Sequence, residues 1–213
     1  MTRSREEVLG RIRTALRDGR APSAEIPRDY RQAGAYDAGD TPDALRDKLV
    51  DRLEDYKATV FRCGRDEVAA TVSAALDAGL GSGWAPSSVL AAPGVPADWR
   101  PEGVADDDGG EPVALADRAA SLVGIAVAVA ETGTLVLDGS PVSGRRVLSL
   151  LPDCLVCVVT GDQVVRGVPE MLTRLDPLAP LTMISGPSAT SDIELDRVEG
   201  VHGPRTLLVV LVT

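Results

Sequence analysis

The residues best suited to chemistry gather in a few short segments. Ala130-Glu131-Thr132-Gly133-Thr134 sets a carboxylate and two hydroxyls in a tight break between two apolar runs. An ionisable side chain at the end of a buried strand is costly unless it is paired or opens onto a ligand cleft. Glu131 therefore either clamps the turn by accepting from backbone amides, or acts as a general base, or serves as a covalent nucleophile. Further on, Ser185-Gly186-Pro187-Ser188-Ala189-Thr190-Ser191-Asp192-Ile193-Glu194 leaves the end of a strand through a Gly-Pro turn. Ser188 and Thr190 can donate to an anion there, with Asp192 or Glu194 orienting them, or they can cap the first amides of a short helix. The only histidine, His202, lies between glycines in Gly200-Val201-His202-Gly203-Pro204. Its near-neutral pKa suits acid–base work, and a purely structural bond to a carbonyl is the competing role.

Gly144-Arg145-Arg146 adds two guanidiniums that can fork onto a carboxylate or phosphate, or onto Glu131 or Asp138 as structural partners. The candidate set is thus Glu131, Asp192 and His202 for catalysis. For ligand binding it is Thr132, Gly133, Thr134, Arg145, Gly186, Ser188, Thr190 and Glu194. No metal-ligand set is assigned. Cys154 and Cys157 have the spacing of a redox or zinc pair, but they lie inside an apparent strand, where residues three apart point to opposite faces. With three cysteines in all, the chain cannot supply the four thiolates that an iron–sulfur cluster usually takes. Gly79-Leu80-Gly81-Ser82-Gly83 follows a helical pattern rather than a strand and reads as a helix cap and turn, not a phosphate loop.

Alternating short apolar runs and helical patterns must position these groups. Apolar spacing predicts helices over Ser4 to Arg17, with Ser4 and Glu7 as a capping box, from Pro42 through Leu45, Leu49, Leu53 and Tyr56, and over Asp66 to Asp77. A further helix is expected over Ala114 to Ser121 and a short one from Pro169. Strands are expected at Ala58 to Arg62, Ser88 to Ala92, Leu122 to Ala130, Thr134 to Asp138, Cys154 to Thr160, Leu181 to Ser185 and Thr206 to Thr213. Such alternation implies an α/β fold with a mostly parallel sheet, although the break at Glu131-Thr132-Gly133 lets its flanking strands pair antiparallel. Residues 1–40 read as an N-terminal helix and linker, and 41–213 as the α/β domain.

Composition agrees with that fold. Aromatic residues make up 3% and hydrophobic residues 44% of the 213 residues, so Val, Leu and Ala build the core, as suits parallel strands covered by helices. A net charge of −10 opposes attraction to phosphate backbones and argues against a nucleic-acid ligand. With no long apolar span and no apolar segment near Met1, a cytoplasmic protein without a membrane span is expected.

Together, Glu131-Thr132-Gly133-Thr134, Leu150-Leu151-Pro152, Ser185-Gly186-Pro187-Ser188 with Thr190 and Asp192-Ile193-Glu194, and Gly200-Val201-His202-Gly203-Pro204 resemble the lactate-utilization (LUD) domain family, in its small iron–sulfur-free branch. The resemblance implies a fold similar to the ribose-phosphate isomerase, CoA-transferase and formyltetrahydrofolate cyclo-ligase group. It also implies a part in oxidising L-lactate to pyruvate, with no cofactor in this chain and the iron–sulfur clusters in partner subunits. The resemblance further implies an arginine where this chain has Ala189, so an anion would have to recruit Arg145, Arg146 or Arg205. Two other readings stay open: a stand-alone CoA-transferase or cyclo-ligase-like enzyme acting on a small anionic substrate through Glu131, and a noncatalytic scaffold. The positional expectation is that Ser188, Asp192 and His202 face Glu131.

Overall fold

The computed structural model describes residues 2–17, 25–31, 40–191, 197–199 and 203–213, with backbone alone at 2, 3, 189–191 and 197–199. Two compact units divide at Arg31 and Gln32. The first contains α1 (Thr2–Arg17), whose apolar positions Val8, Ile12 and Leu16 are exposed. It starts two residues before the expected Ser4.

In the second unit, α2 (Pro42–Asp55) begins where Pro at the first position and Thr41 as cap require: the Ala44 amide donates to the Thr41 hydroxyl at 3.2 Å. Leu49 and Leu53, one turn apart, are fully buried. There follow β1 (Thr59–Cys63), α3 (Val68–Leu80), β2 (Val89–Ala91), β3 (Ala105–Asp106), β4 (Ala120–Gly124), β5 (Val127–Val129), β6 (Thr134–Leu137), β7 (Cys154–Thr160), β8 (Val164–Val165), α4 (Val168–Arg174), β9 (Thr182–Ile184), β10 (Ala189–Ser191), β11 (Arg197–Glu199) and β12 (Thr206–Val212). Gly81, at φ +87°, caps α3, as the glycine-rich segment predicts.

The main sheet runs β1-β12-β7-β4-β2-β3 and is parallel throughout. Its middle strands are buried on both faces, so β7 and β12 read as unbroken apolar runs rather than alternating ones. A second sheet runs β8-β5-β6-β9, with β5 and β6 antiparallel across the Glu131 break. The mostly parallel α/β architecture is as expected from sequence.

The differences arise from pairing with strands remote in the chain. The expected helix over Ala114 to Ser121 is a 3-10 turn at Pro112–Leu115, a bend over residues 116–119 and then β4, because Ala120 and Ser121 pair with Cys154 and Leu155 of β7. The expected single strand Leu122 to Ala130 is two strands serving two sheets. At the crossing the Ile125 amide still donates to Val158 of the main sheet, at 3.3 Å, while the Ala126 amide donates to Val136 of the second, at 2.8 Å. Strands β3, β8, β10 and β11, two or three residues each, are too short to show a period.

All three cysteines are free and buried. Burial, aided by the charge of Asp153, pushes the Cys154 thiol up to about 12, and burial raises Cys157 and Cys63 as well. A thiol-specific disulfide reagent at about pH 8, near the pKa of an ordinary thiol, should therefore find no fast-reacting thiol in the native protein and all three after denaturation. A fast native thiol would show that β7 or β1 opens.

Candidate functional site

The last turn of α2 is the seat on which two of the sequence motifs rest. Gly133, at φ +58°, brings the Glu131 turn so close that a methyl there would lie 2.8 Å from Arg52 Cβ. Gly186, at φ +100°, does the same to the Gly-Pro turn, with a methyl 2.7 Å from the Tyr56 carbonyl oxygen. Only glycine combines these backbone angles with so near an approach. With both turns seated, β6 pairs with β9 and Thr134 meets Ser185. The result is a chain of hydroxyls: Thr132 Oγ1 to Thr134 Oγ1 at 2.7 Å, and Thr134 Oγ1 to Ser185 Oγ at 2.8 Å.

Ser185 opens onto a cleft of about 280 Å³. The cleft starts at the carboxyl end of β9 yet lies over the amino ends of β7 and β12, where Leu155, Pro204 and Leu207 line it, rather than over the carboxyl ends that usually hold ligands in open parallel sheets. Gly186 and Ser188 line it too, and the Ser188 amide is tied to the Pro204 carbonyl at 2.8 Å. Arg146, Ser149 and Thr182 line this cleft and also an adjoining cavity of about 260 Å³.

The other predicted residues fall elsewhere or beyond view. Asp192, Glu194 and His202 lie outside the described residues, as does the side chain of Thr190. Glu131 is partly buried; its amide donates to the Arg166 carbonyl at 2.9 Å, and its carboxylate packs on Gly167, at the start of α4. It does not line the cleft that Ser188 lines. Arg145 finds its carboxylate in Asp107 rather than in Glu131 or Asp138: Nε and Nη2 donate to the two carboxylate oxygens at 2.6 and 2.7 Å, and Nη1 donates to the Gly110 carbonyl at 2.7 Å. The buried Asp107 holds the proton of that guanidinium more firmly than usual. Arg205 forks onto Asp153 at 2.7 and 2.6 Å, which lowers the Asp153 pKa. Of the polar side chains that line the cleft, Arg146, Ser149, Thr182 and Ser185 are missing from the sequence-derived set. Only the Arg-Arg pair and the Ser preceding the Gly-Pro turn offered a signal.

A six-stranded parallel sheet, a second sheet braced on the same helix and a small polar cleft beside both define an α/β protein of the open-sheet class. Residues 46–212 match the model of the LUD domain, and the chain belongs to that family. It is 44% identical over 172 residues to lactate utilization protein C of Deinococcus radiodurans, covering 78% of either chain. It is 35% identical over 135 residues to lactate utilization protein C of Bacillus subtilis, covering 54% of either chain. The crystal structure of a DUF162 family protein from Deinococcus radiodurans superposes with a TM-score of 0.68 at 32% identity, over 82% of this chain and 100% of that one.

Replacing Gly133 with Ala should cost about 2 kcal/mol or more in urea denaturation, since strained backbone and overpacking add. Gly109→Ala, also at positive φ (+78°) but with open space around it, should cost only about 1 kcal/mol. Equal losses would remove the seating on α2.

Among the described residues, three carboxyls titrate below their usual range. Burial would raise Asp138, but hydrogen bonds from Ser140 and Ser143 outweigh it. Asp153 is lowered by Arg205, and Asp162 by hydrogen bonding to Thr160, with Arg65 and Arg174 adding. Because the folded values are depressed, their stabilisation is complete above the ordinary carboxylate pKa, about 4, and fades as pH falls through the lower folded values. Tm should be level from neutral pH to about pH 5 and then fall, less steeply in Asp138→Asn.

Proposed function

We propose that this chain is a cytoplasmic subunit of an L-lactate utilization system, in which lactate is oxidised to pyruvate and the iron–sulfur clusters reside in partner subunits. The observation that carries the reading is the 44% identity, over 78% of both chains, to a relative named lactate utilization protein C. Homologues of that name support a role in lactate utilization. Among the described residues no helix is long and apolar enough to cross a membrane, and no group of three or more His, Cys, Asp or Glu is placed to hold a metal ion.

Oxidation of a 2-hydroxy acid to a 2-oxo acid releases two electrons and two protons, which need an acceptor. The thiols here are protonated and packed in the core, poor ligands for a cluster, since metal binding needs the thiolate. Electron transfer through partners suits such a chain. A stand-alone enzyme built on Glu131 as nucleophile would want that carboxylate in the cleft, and it packs on Gly167 instead.

In a host with no other lactate dehydrogenase, deletion of the gene should abolish growth on L-lactate and leave growth on pyruvate intact. Re-expression of the tagged chain should restore growth and bring cysteine-rich iron–sulfur proteins with it on purification. Unchanged growth on L-lactate would count decisively against the reading.

A further inference from the structure

Three arginines could give the cleft a positive charge, and two are already taken. Asp107 holds Arg145 and Asp153 holds Arg205, each through two hydrogen bonds, so an arriving anion would have to displace a carboxylate. Arg146 is exposed, lines both cavities and pairs with no carboxylate among the described residues. The neighbouring polar groups are hydroxyls, and the remaining wall is apolar, from Leu150, Leu155 and Leu207.

We propose that Arg146 binds the carboxylate of a short monocarboxylate bearing oxygen on its second carbon, the class that includes lactate and pyruvate, and that Ser185 receives that oxygen. The proposal rests on the lactate-utilization reading. One available guanidinium matches one carboxylate, which it can grip with a fork. The volume of about 280 Å³ falls just below the range of about 300–1,000 Å³ for drug-sized ligands, which favours a small molecule.

The hydroxyl chain supplies the rest of the specificity. In each contact along Thr132, Thr134 and Ser185 either oxygen can be the donor. When Thr132 donates to Thr134 and Thr134 to Ser185, the Ser185 hydroxyl is free to donate to a ligand oxo group. When the chain runs the other way, Ser185 accepts from a ligand hydroxyl. The same three side chains thus suit both the 2-hydroxy and the 2-oxo member of a pair, with the buried Thr134 hydroxyl bonded in either direction.

Calorimetric titration of the full chain with L-lactate, pyruvate, propionate and lactamide tests this. Lactate and pyruvate should bind with similar affinity, propionate more weakly for want of the second oxygen, and uncharged lactamide most weakly. Arg146→Ala should weaken lactate and pyruvate at least about tenfold, as loss of a charge-assisted bond predicts, with Arg146→Lys in between and Tm unchanged in both. Ser185→Ala should remove the preference for lactate over propionate while keeping carboxylate binding. Wild-type affinity in Arg146→Ala, lactamide binding as tight as lactate, or no binding of either acid by the native chain would each overturn the proposal. Absent binding combined with a growth defect on deletion would sink this inference and leave the subunit reading standing. Arg146-dependent binding without a growth defect would do the reverse.

Discussion

The architecture of the cleft depends on the close approach of two glycine turns to one end of one helix. Gly133 and Gly186 are far apart in the chain, yet both rest on the last turn of α2, where a single methyl would meet Arg52 or the Tyr56 backbone at less than 3 Å. This shared seat sets the β6–β9 register, and the register sets Thr134 against Ser185. Helix α2 is held in turn by Leu49 and Leu53, buried in the core with the strands of the main sheet. Hydrophobic burial therefore reaches the polar cleft through steric contact, as close-packed interiors transmit position.

Electrostatics then decide which charges remain available. The chain carries more acid than base, and its arginines are drawn to carboxylates wherever folding brings them together. Asp107, nearly inaccessible to water, would be expensive as a lone charge, so the bidentate Arg145 and its third bond to Gly110 satisfy it. The half-exposed Arg205–Asp153 pair is weaker in stability terms, because water screens it, but it too occupies a fork. The two pairs leave one neighbouring guanidinium turned toward the cleft.

Much of the fold was legible because its signals are local. The apolar runs of β7 and β12, the proline start of α2 and the glycine cap of α3 each depend on residues next to one another. The failures share a cause as well. Leu122 to Ala130 has no composition break where it passes between sheets, since both its halves are buried and apolar. Ala114 to Ser121 has helical spacing, but its last two residues pair with β7, a partner some thirty residues away.

The candidate site divides in the same way. Residue types and spacing alone determined that the Glu131 turn and the Ser185–Ser188 turn were tight, glycine-dependent and rich in hydroxyls, because those properties belong to short stretches of backbone. Tertiary structure alone decided which side chains meet. It left Glu131 out of the lining of the cleft that Ser188 lines, joined Thr134 to Ser185, and made adjacent arginines unlike: Arg145 reaches a buried carboxylate across the fold and Arg146 lines the cleft. Neighbours in sequence with the same chemistry differ only in where their side chains end, and that is set by packing between segments remote in the chain.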